Sequence, residues 1–347
     1  MATVGLKVAI CILVLTCGSL RGQLPEPCEK GLVDFNGGRV AESQSSLWDC
    51  VESGHGNETH TLYLAQTYRG LKNYATGLTR TNAALKQRPD NVDLLYLASY
   101  LRYRRNETKE AMALASKAYR IAPDDWRIHQ IFALNYISFS MLEEAKLSLL
   151  QALRLKPDNA ELHYQLARLY FTQGSFVNSI NSSKKALEIF PDYLEAHHNL
   201  ALSYEGNGDV DLAISSFQRA VDLNRKYNRQ DELPLIDFAV YQRMGGMPEA
   251  ALSLLEEALR INPQSSKANY EVGELLRDMK RYKEAKRYLE VAYELDPCNA
   301  RAIYGLAMVS RILGDAPRAF ALLKRFKEVD ARTKEPSNAG KKCNAPQ

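Results

Sequence analysis

The chain has 347 residues, of which 46% are hydrophobic and 25% are charged, and its formal net charge is +4 at pH 7. That apolar content is sufficient for a continuous folded core. The 45 basic and 41 acidic residues form no long run of either sign, which argues against the concentrated basic surface of a nucleic-acid-binding protein. No stretch reaches the roughly 20 apolar residues that a membrane-spanning helix needs, so we expect no membrane span.

The N-terminus has the layout of a secretory signal peptide. Lys7 precedes a short apolar run, and small residues follow that run. Cleavage after Gly18, Ser19 or Gly22 fits this layout, and we favour Gly22, which makes residues 1–22 the signal. We therefore expect an exported protein, either periplasmic or secreted.

A second interpretation of the N-terminus is a bacterial lipoprotein signal, with the protein anchored through Cys17. Such signals usually have smaller residues just before the cysteine. Leu15 and Thr16 stand there instead, so anchoring through Cys17 is the weaker alternative.

Six prolines recur with a fixed spacing through the chain. Four of them stand 34 residues apart, and two more resume that spacing after a gap of two periods plus four residues. A 34-residue period is typical of helix–turn–helix repeats that stack into a solenoid, in which each repeat buries its apolar face against its neighbours. The six are Pro89, Pro123, Pro157, Pro191, Pro263 and Pro297.

Each repeat also has small residues at fixed positions. In the repeat over residues 126–157, positions 8 and 11 hold Ala133 and Tyr136, and positions 20 and 27 hold Ala145 and Ala152. This pattern resembles the tetratricopeptide repeat (TPR) family, whose signature has a small residue at position 8, Tyr at 11, and Ala at 20 and 27. The resemblance implies an all-α, right-handed superhelical solenoid of about nine helix–turn–helix repeats.

The pattern has a physical basis. Small residues at positions 8 and 20 let two antiparallel helices approach closely, and apolar residues three and four apart give each helix one buried stripe. Proline at position 32 cannot continue the second helix, and the Asp after it is predicted to cap the next helix. These predicted caps are Asp90, Asp124, Asp158 and Asp192.

The period predicts a solenoid over residues 23–331 and a flexible polar tail over residues 332–347. Four extra residues fall within residues 224–230. One interpretation is functional: the extra residues form a docking loop or change the curvature of the solenoid. The other is a longer surface connection, since lengthening a loop adds little entropic cost. The repeats are expected to begin near Leu24, Glu58, Val92, Trp126, Ala160, Leu194, Glu232, Ser266 and Ala300.

Four cysteines remain after the signal, and an even number in an exported protein permits disulfides. Cys28 begins the first helix of its repeat and Cys50 ends the second, so an antiparallel hairpin makes them neighbours and predicts a bridge between them. Cys298 lies in a turn that Cys343, on the tail, is able to reach. Four unpaired thiols are the alternative. No Cys-x-x-Cys spacing occurs, so neither redox catalysis nor a metal site is expected.

Three histidines, His129, His163 and His197, recur at position 4 of successive repeats. Equivalent side chains of stacked helices lie about 10 Å apart, too far to share a metal whose ligand bonds are about 2 Å long. We therefore interpret them as packing residues. The sequence has no Gly-rich phosphate loop, nucleophile elbow or catalytic Cys–His signature, so we expect neither an enzyme nor a cofactor.

In TPR proteins the first helix of each repeat lines the concave groove, mainly through positions 2, 5, 9, 12 and 13. Here Tyr and Arg, the residue types enriched in binding hot spots, are frequent at those positions. The resemblance implies a non-catalytic scaffold that binds a peptide segment of a partner protein, with Arg pairing acidic groups and Tyr stacking on apolar ones. The predicted groove residues are Tyr96, Tyr100, Tyr103, Arg104, Tyr164, Arg168, Phe171, Arg243, Tyr270, Arg277, Arg301, Tyr304 and Arg311.

One specialised ligand is not expected. A familiar TPR variant clamps the C-terminal carboxylate of chaperones with Lys at position 5 and Asn at position 9. Those positions hold Tyr96 and Tyr100 in one repeat, and Tyr164 and Arg168 in another. Two alternative functions stay open, namely glycan or polysaccharide handling and a structural spacer in an envelope complex.

Overall fold

The computed structural model describes residues 25–334, which form eighteen α-helices and no strand. This confirms the predicted all-α helical-repeat solenoid. Consecutive helices pair as hairpins, and within each of the two units described below the second helix of a hairpin packs on the first helix of the next. The chain divides between Arg229 and Gln230 into two compact units, named here the N-terminal unit and the C-terminal unit.

The N-terminal unit contains six hairpins. Its first helices also touch one another, as α3 touches α5 and α5 touches α7. The helices are α1 (Glu26–Asn36), α2 (Val40–Glu52), α3 (Glu58–Leu71), α4 (Tyr74–Gln87), α5 (Val92–Arg104), α6 (Thr108–Ile121), α7 (Trp126–Ser138), α8 (Leu142–Leu155), α9 (Ala160–Thr172), α10 (Phe176–Ile189), α11 (Leu194–Asn207) and α12 (Val210–Lys226).

The C-terminal unit contains three hairpins, again with contacts between its first helices. Its helices are α13 (Leu233–Met244), α14 (Pro248–Ile261), α15 (Ser266–Asp278), α16 (Tyr282–Leu295), α17 (Ala300–Ile312) and α18 (Ala316–Lys334).

Small residues sit where the two helices of a hairpin cross. Ala133 on α7 and Ala145 on α8 are both fully buried. In the C-terminal unit Gly273 takes the place of Ala133, and a Cβ there would lie 2.5 Å from the Cγ of Leu289. That approach is closer than packed carbon atoms tolerate, so the large Leu289 on α16 requires glycine on α15.

The helix caps lie one residue later than the sequence predicted. The side chains of Asn91 and Asn159 accept hydrogen bonds from the backbone N–H groups of Leu94 and Leu162, at 2.9 and 3.1 Å. The Pro-Asp pair forms the turn before the cap, because the chain needs two residues to reverse direction after the preceding helix ends. The observed side-chain caps of first helices are Asn57, Asn91, Asp125, Asn159, Ser265 and Asn299.

The four extra residues lengthen α12, and the segment folds back on α11 and on the turn before it. α12 has 17 residues where α10 has 14. Lys226 donates to Asp192 at 2.7 Å, the Tyr227 hydroxyl donates to the same carboxylate, and Arg229 donates to Glu195 at 2.5 Å. Asp192, predicted as a cap, instead anchors this segment.

Within residues 25–334 no helix combines the length and apolar character that crossing a bilayer takes. The predicted signal peptide, Cys17 and Cys343 lie outside the described residues. α18 continues to Lys334, past the predicted start of the tail.

Candidate docking surface

Cys28 and Cys50 form a disulfide, with their Cα atoms 4.9 Å apart, and thereby join α1 to α2. This is the pairing that the hairpin geometry predicted. Cys298 is also disulfide-bonded, and Cys343, its predicted partner, is outside the described residues.

Buried His60 lies beside this disulfide, and its nearest ligand atom is within 4.8 Å of both sulfurs. The sulfurs are bonded to each other, so neither is a thiolate able to hold a metal ion. The Nδ1 atom of His60 takes part in a capping box with Asn57. Burial lowers the pKa of His60, so the ring is neutral at pH 7 and serves to cap α3.

The three recurring histidines have one structural role. In each, the Nε2 atom lies 2.9 Å from the carbonyl oxygen of the proline six residues earlier, so the ring ties the first helix to the turn before it. Asn269 does the same in the C-terminal unit, donating to the carbonyl of Pro263 at 3.3 Å. The histidine pairs are His129–Pro123, His163–Pro157 and His197–Pro191.

In the N-terminal unit the first helices contact one another across repeats, and we call the side that they form the concave side. The indole N–H of Trp126 on α7 donates to a carboxylate oxygen of Glu58 on α3 at 2.7 Å, although the two residues are two repeats apart. Leu62 on α3 packs against the same core cluster as Trp126. The first helices therefore converge here.

Next to this contact, Arg127 is buried and fully paired. It donates to Asp93 at 2.6 Å and to Asp125 at 2.5 Å, and its guanidinium carbon lies 5.2 Å from the ring centroid of Tyr96. Burial alone would lower the pKa of Arg127, but its hydrogen bonds and the charges of the two aspartates outweigh burial and raise it. Tyr96 is only 4% exposed, so this predicted groove residue belongs to the core.

Farther along the concave side, tyrosines and arginines of different helices meet. Arg168 lies 5.7 Å from the ring centroid of Tyr164, and Tyr164 packs against Tyr193 at 5.1 Å. Arg104 lies 5.3 Å from the ring centroid of Tyr74. We name the set the N-terminal Tyr/Arg cluster, and its members are Arg69, Tyr100, Arg104, Tyr164, Arg168 and Tyr193.

Arg69 is the centre of this cluster. Its charge acts on the phenols of both Tyr100 on α5 and Tyr164 on α9. Burial alone would lower the pKa of Arg69, but Tyr100, Glu161 and neighbouring groups outweigh burial and raise it. α3, which carries Arg69, is in contact with α5, which carries Tyr100.

The nearby carboxylates already have partners within the chain. Glu161 accepts hydrogen bonds from the Tyr193 hydroxyl and from Gln165, the latter at 2.8 Å. Glu195 accepts from Arg229 at 2.5 Å. Among the described residues, the guanidiniums of the three cluster arginines make no hydrogen bond and no ion pair.

The phenols of the cluster stay protonated at neutral pH. Burial raises the pKa of Tyr164 to about 12, despite the opposing charge of Arg168. Burial also raises the pKa of Tyr100. Within residues 25–334 neither hydroxyl has a hydrogen-bond partner, so both are available as donors.

Two of the predicted groove arginines of the C-terminal unit, Arg243 and Arg277, are paired within the chain. Arg243 bonds to Asp278 at 3.0 Å and approaches Glu271 at 3.5 Å. Arg277 bonds to Glu274 at 2.8 Å and to Asp278 at 3.3 Å. These side chains already have the acidic partners that a ligand would otherwise supply.

The remaining predicted residues are more scattered. Tyr304, 44% exposed, packs on Phe326 at 5.3 Å, and Phe171 packs on Phe176 at 5.8 Å. Tyr103 and Tyr270 are half-buried, whereas Arg301 and Arg311 are exposed.

The sequence argument missed two members of the cluster. Arg69 stands at position 12 of its repeat, which is a groove position. The same repeat numbering that predicted Arg243 therefore also points to Arg69. Tyr193 lies just before α11, at a turn position for which the register gives no expectation.

These features define an all-α protein built of stacked helical hairpins. Family models for the tetratricopeptide repeat match most of the sequence, and the chain belongs to that family. Models described as tetratricopeptide repeat match residues 62–125, 160–193, 192–264, 244–291 and 273–336, and a model described as TPR repeat matches residues 141–174.

Solved structures show the same fold at low sequence identity. A chain of the APC/C hetero-tetramer Cut9–Hcn1 is similar over 78% of this chain, with a TM-score of 0.67 and 15% identity. This chain spans about half of that one, 52% of its length. PilF of Pseudomonas aeruginosa is similar over 60% of this chain and 98% of its own, with a TM-score of 0.52 and 19% identity. No curated protein matches the sequence significantly.

Proposed function

We propose that the protein is a non-catalytic scaffold that binds a segment of a partner protein on the concave face of the N-terminal unit. The observation that carries this proposal is the N-terminal Tyr/Arg cluster, in which three guanidiniums have no acidic partner among the described residues. Tyr and Arg combine large contact area with polar contacts and are typical of binding hot spots. The TPR fold supports an interaction role over a catalytic one.

We further propose that the protein works outside the cytosol. The signal-like N-terminus and the Cys28–Cys50 disulfide support this, because structural disulfides persist in oxidising compartments. Its partner would then be an envelope or secreted protein.

A peptide selection tests the binding proposal. The purified protein is used to select from a displayed library of random peptides, in parallel with the variant Arg104→Ala/Arg168→Ala. The control variant is Arg120→Ala/Arg154→Ala, which removes the same charge from exposed sites on α6 and α8. We expect the native protein and the control to enrich the same peptides and the cluster variant to lose them.

Three results would contradict the proposal. Equal enrichment by the cluster variant would place the peptide site elsewhere. Failure to enrich any peptide, together with binding on a glycan array, would favour polysaccharide handling. Failure on both would favour a structural spacer.

A further inference from the structure

We infer that the N-terminal Tyr/Arg cluster is a carboxylate-binding pocket centred on Arg69, and that the bound partner segment carries at least two acidic side chains. The inference rests on the proposed peptide-binding function and specifies the chemistry of its ligand.

The first argument is the cost of an unpaired charge. Arg69 is half-buried, and the described residues give it neither a hydrogen bond nor an ion pair. A guanidinium removed from water without a partner is unfavourable, and an anion that enters the pocket relieves that cost. Glu161 and Glu195 are nearby, but Tyr193 and Arg229 already bond to them.

The register of the repeats supplies a second argument. In the C-terminal unit Arg243, at position 12, bonds to Asp278, at position 13 of the next repeat, at 3.0 Å. In the N-terminal unit Arg69 is also at position 12, and position 13 of the next repeat is Arg104. A cation thus stands where the other unit has an anion, and both charges act on the phenol of Tyr100. An acidic side chain of a bound partner would take the place that Asp278 has in the C-terminal unit.

The spread of the cations favours acidic side chains over a single chain terminus. The three arginines come from three helices, α3, α5 and α9, and one terminal carboxylate pairs with one guanidinium in a bidentate manner. Arg69 and Arg104 stand on α3 and α5, which are in contact. Neighbouring helices pack about 8–10 Å apart, and alternate side chains of an extended segment lie about 7 Å apart. Acidic residues at alternate positions therefore match these two arginines.

Carboxylates also fit better than a polyphosphate chain. Glu161 and Glu195 border the pocket and oppose a densely charged polymer, whereas individual carboxylates can sit between them. The hydroxyls of Tyr100 and Tyr164 have no partner within residues 25–334 and are able to donate to a carboxylate beside each arginine.

Fluorescence anisotropy with three labelled peptides tests the inference. The first alternates Glu with Leu and is C-terminally amidated, the second has Gln in place of every Glu, and the third is the Gln peptide with a free C-terminal carboxylate. We expect the Glu peptide to bind at least about tenfold more tightly than either Gln peptide, because a charge-assisted hydrogen bond is worth about tenfold or more.

The decisive variant is Arg69→Met, which keeps an apolar stem and removes the charge. This variant should bind the Glu peptide about 10–100-fold more weakly, and its affinity for the Gln peptide should be unchanged. Arg69→Lys should restore part of the affinity, and the control Arg120→Met should change nothing. Far-ultraviolet circular dichroism and the melting temperature establish that each variant is folded.

The outcomes separate this inference from the proposed function. If the Glu and Gln peptides bind equally and Arg69→Met changes neither, the carboxylate pocket is wrong while peptide binding stands. Preference for the peptide with a free C-terminal carboxylate would show that the pocket binds a chain terminus and not acidic side chains. Tighter binding of single-stranded DNA than of the Glu peptide would show that the pocket binds phosphates and not carboxylates. Absence of binding by every peptide would refute both proposals.

Discussion

Replacing Arg127 by Met should destabilise the middle of the N-terminal unit. Arg127 joins α7 to α5 through Asp93 and holds the cap Asp125 at the start of α7. It also covers the ring of Tyr96. Methionine fills much of the same space but leaves two neighbouring carboxylates without a counter-charge.

The size of the effect follows from burial. The side chain of Arg127 is 6% exposed and that of Asp125 is 12% exposed, whereas Asp93 is 25% exposed and partly screened by water. Removing one partner of a buried ion pair typically costs 3–5 kcal/mol, and the partial exposure of Asp93 favours the lower end. We therefore expect a loss of about 3 kcal/mol.

Hydrogen exchange on α5 and α7 is the suitable assay, since stacked repeats can unfold locally and a global unfolding curve averages over them. Protection of these helices should fall by about 3 kcal/mol, roughly a hundredfold in exchange rate. Adding Asp93→Asn to Arg127→Met should recover part of the loss. An effect below about 1 kcal/mol, or no recovery in the double variant, would refute the reasoning.

Three further changes test other parts of the structure. Cys28→Ala/Cys50→Ala opens a bridge between residues 22 apart in sequence, so hydrogen exchange of α1 and α2 should show a loss of about 3 kcal/mol; unchanged protection would mean that the hairpin holds without the bridge. Gly77→Ala places a Cβ 2.6 Å from the buried Tyr68 ring, and thermal unfolding should reveal a loss of about 1–3 kcal/mol; an unchanged melting temperature would contradict this. Burial lowers the pKa of His60 below the ordinary histidine value of about 6.5. As the pH falls, the unfolded chain therefore binds a proton before the folded chain does, and stability should fall below about pH 6.5. Urea unfolding across pH should show a weaker slope for His60→Gln, and an identical slope would exclude this histidine.

The fold was predictable because one period encodes several constraints at once. The 34-residue spacing places a helix-ending proline, two small crossing residues and a bulky filler in every repeat, and α5 and α7 begin at Val92 and Trp126 as expected. The helix caps were predicted one residue too early. The residue pattern does not show that both the proline and the aspartate belong to the turn before the cap.

The candidate site was predictable only in part. The groove positions select Tyr100 and Arg168, which are members of the N-terminal Tyr/Arg cluster, but they also select Tyr96. The two tyrosines differ because Arg127, from the next repeat, covers the ring of Tyr96. Burial at one position therefore depends on a side chain about one repeat away, which inspection of a single repeat leaves out.

Comparing equivalent positions of two adjacent repeats improves the prediction of which groove residues are available to a ligand. Arg69 and Arg243 both stand at position 12, and the two units differ in the residue at position 13 of the next repeat. With Asp278 at that place, Arg243 is paired at 3.0 Å; with Arg104 there, Arg69 is left for a ligand. A swap tests the rule directly, since Arg104→Asp should pair with Arg69 and abolish binding of the Glu peptide while leaving the fold intact. Retained binding in that variant would show that the register does not control the charge of the pocket.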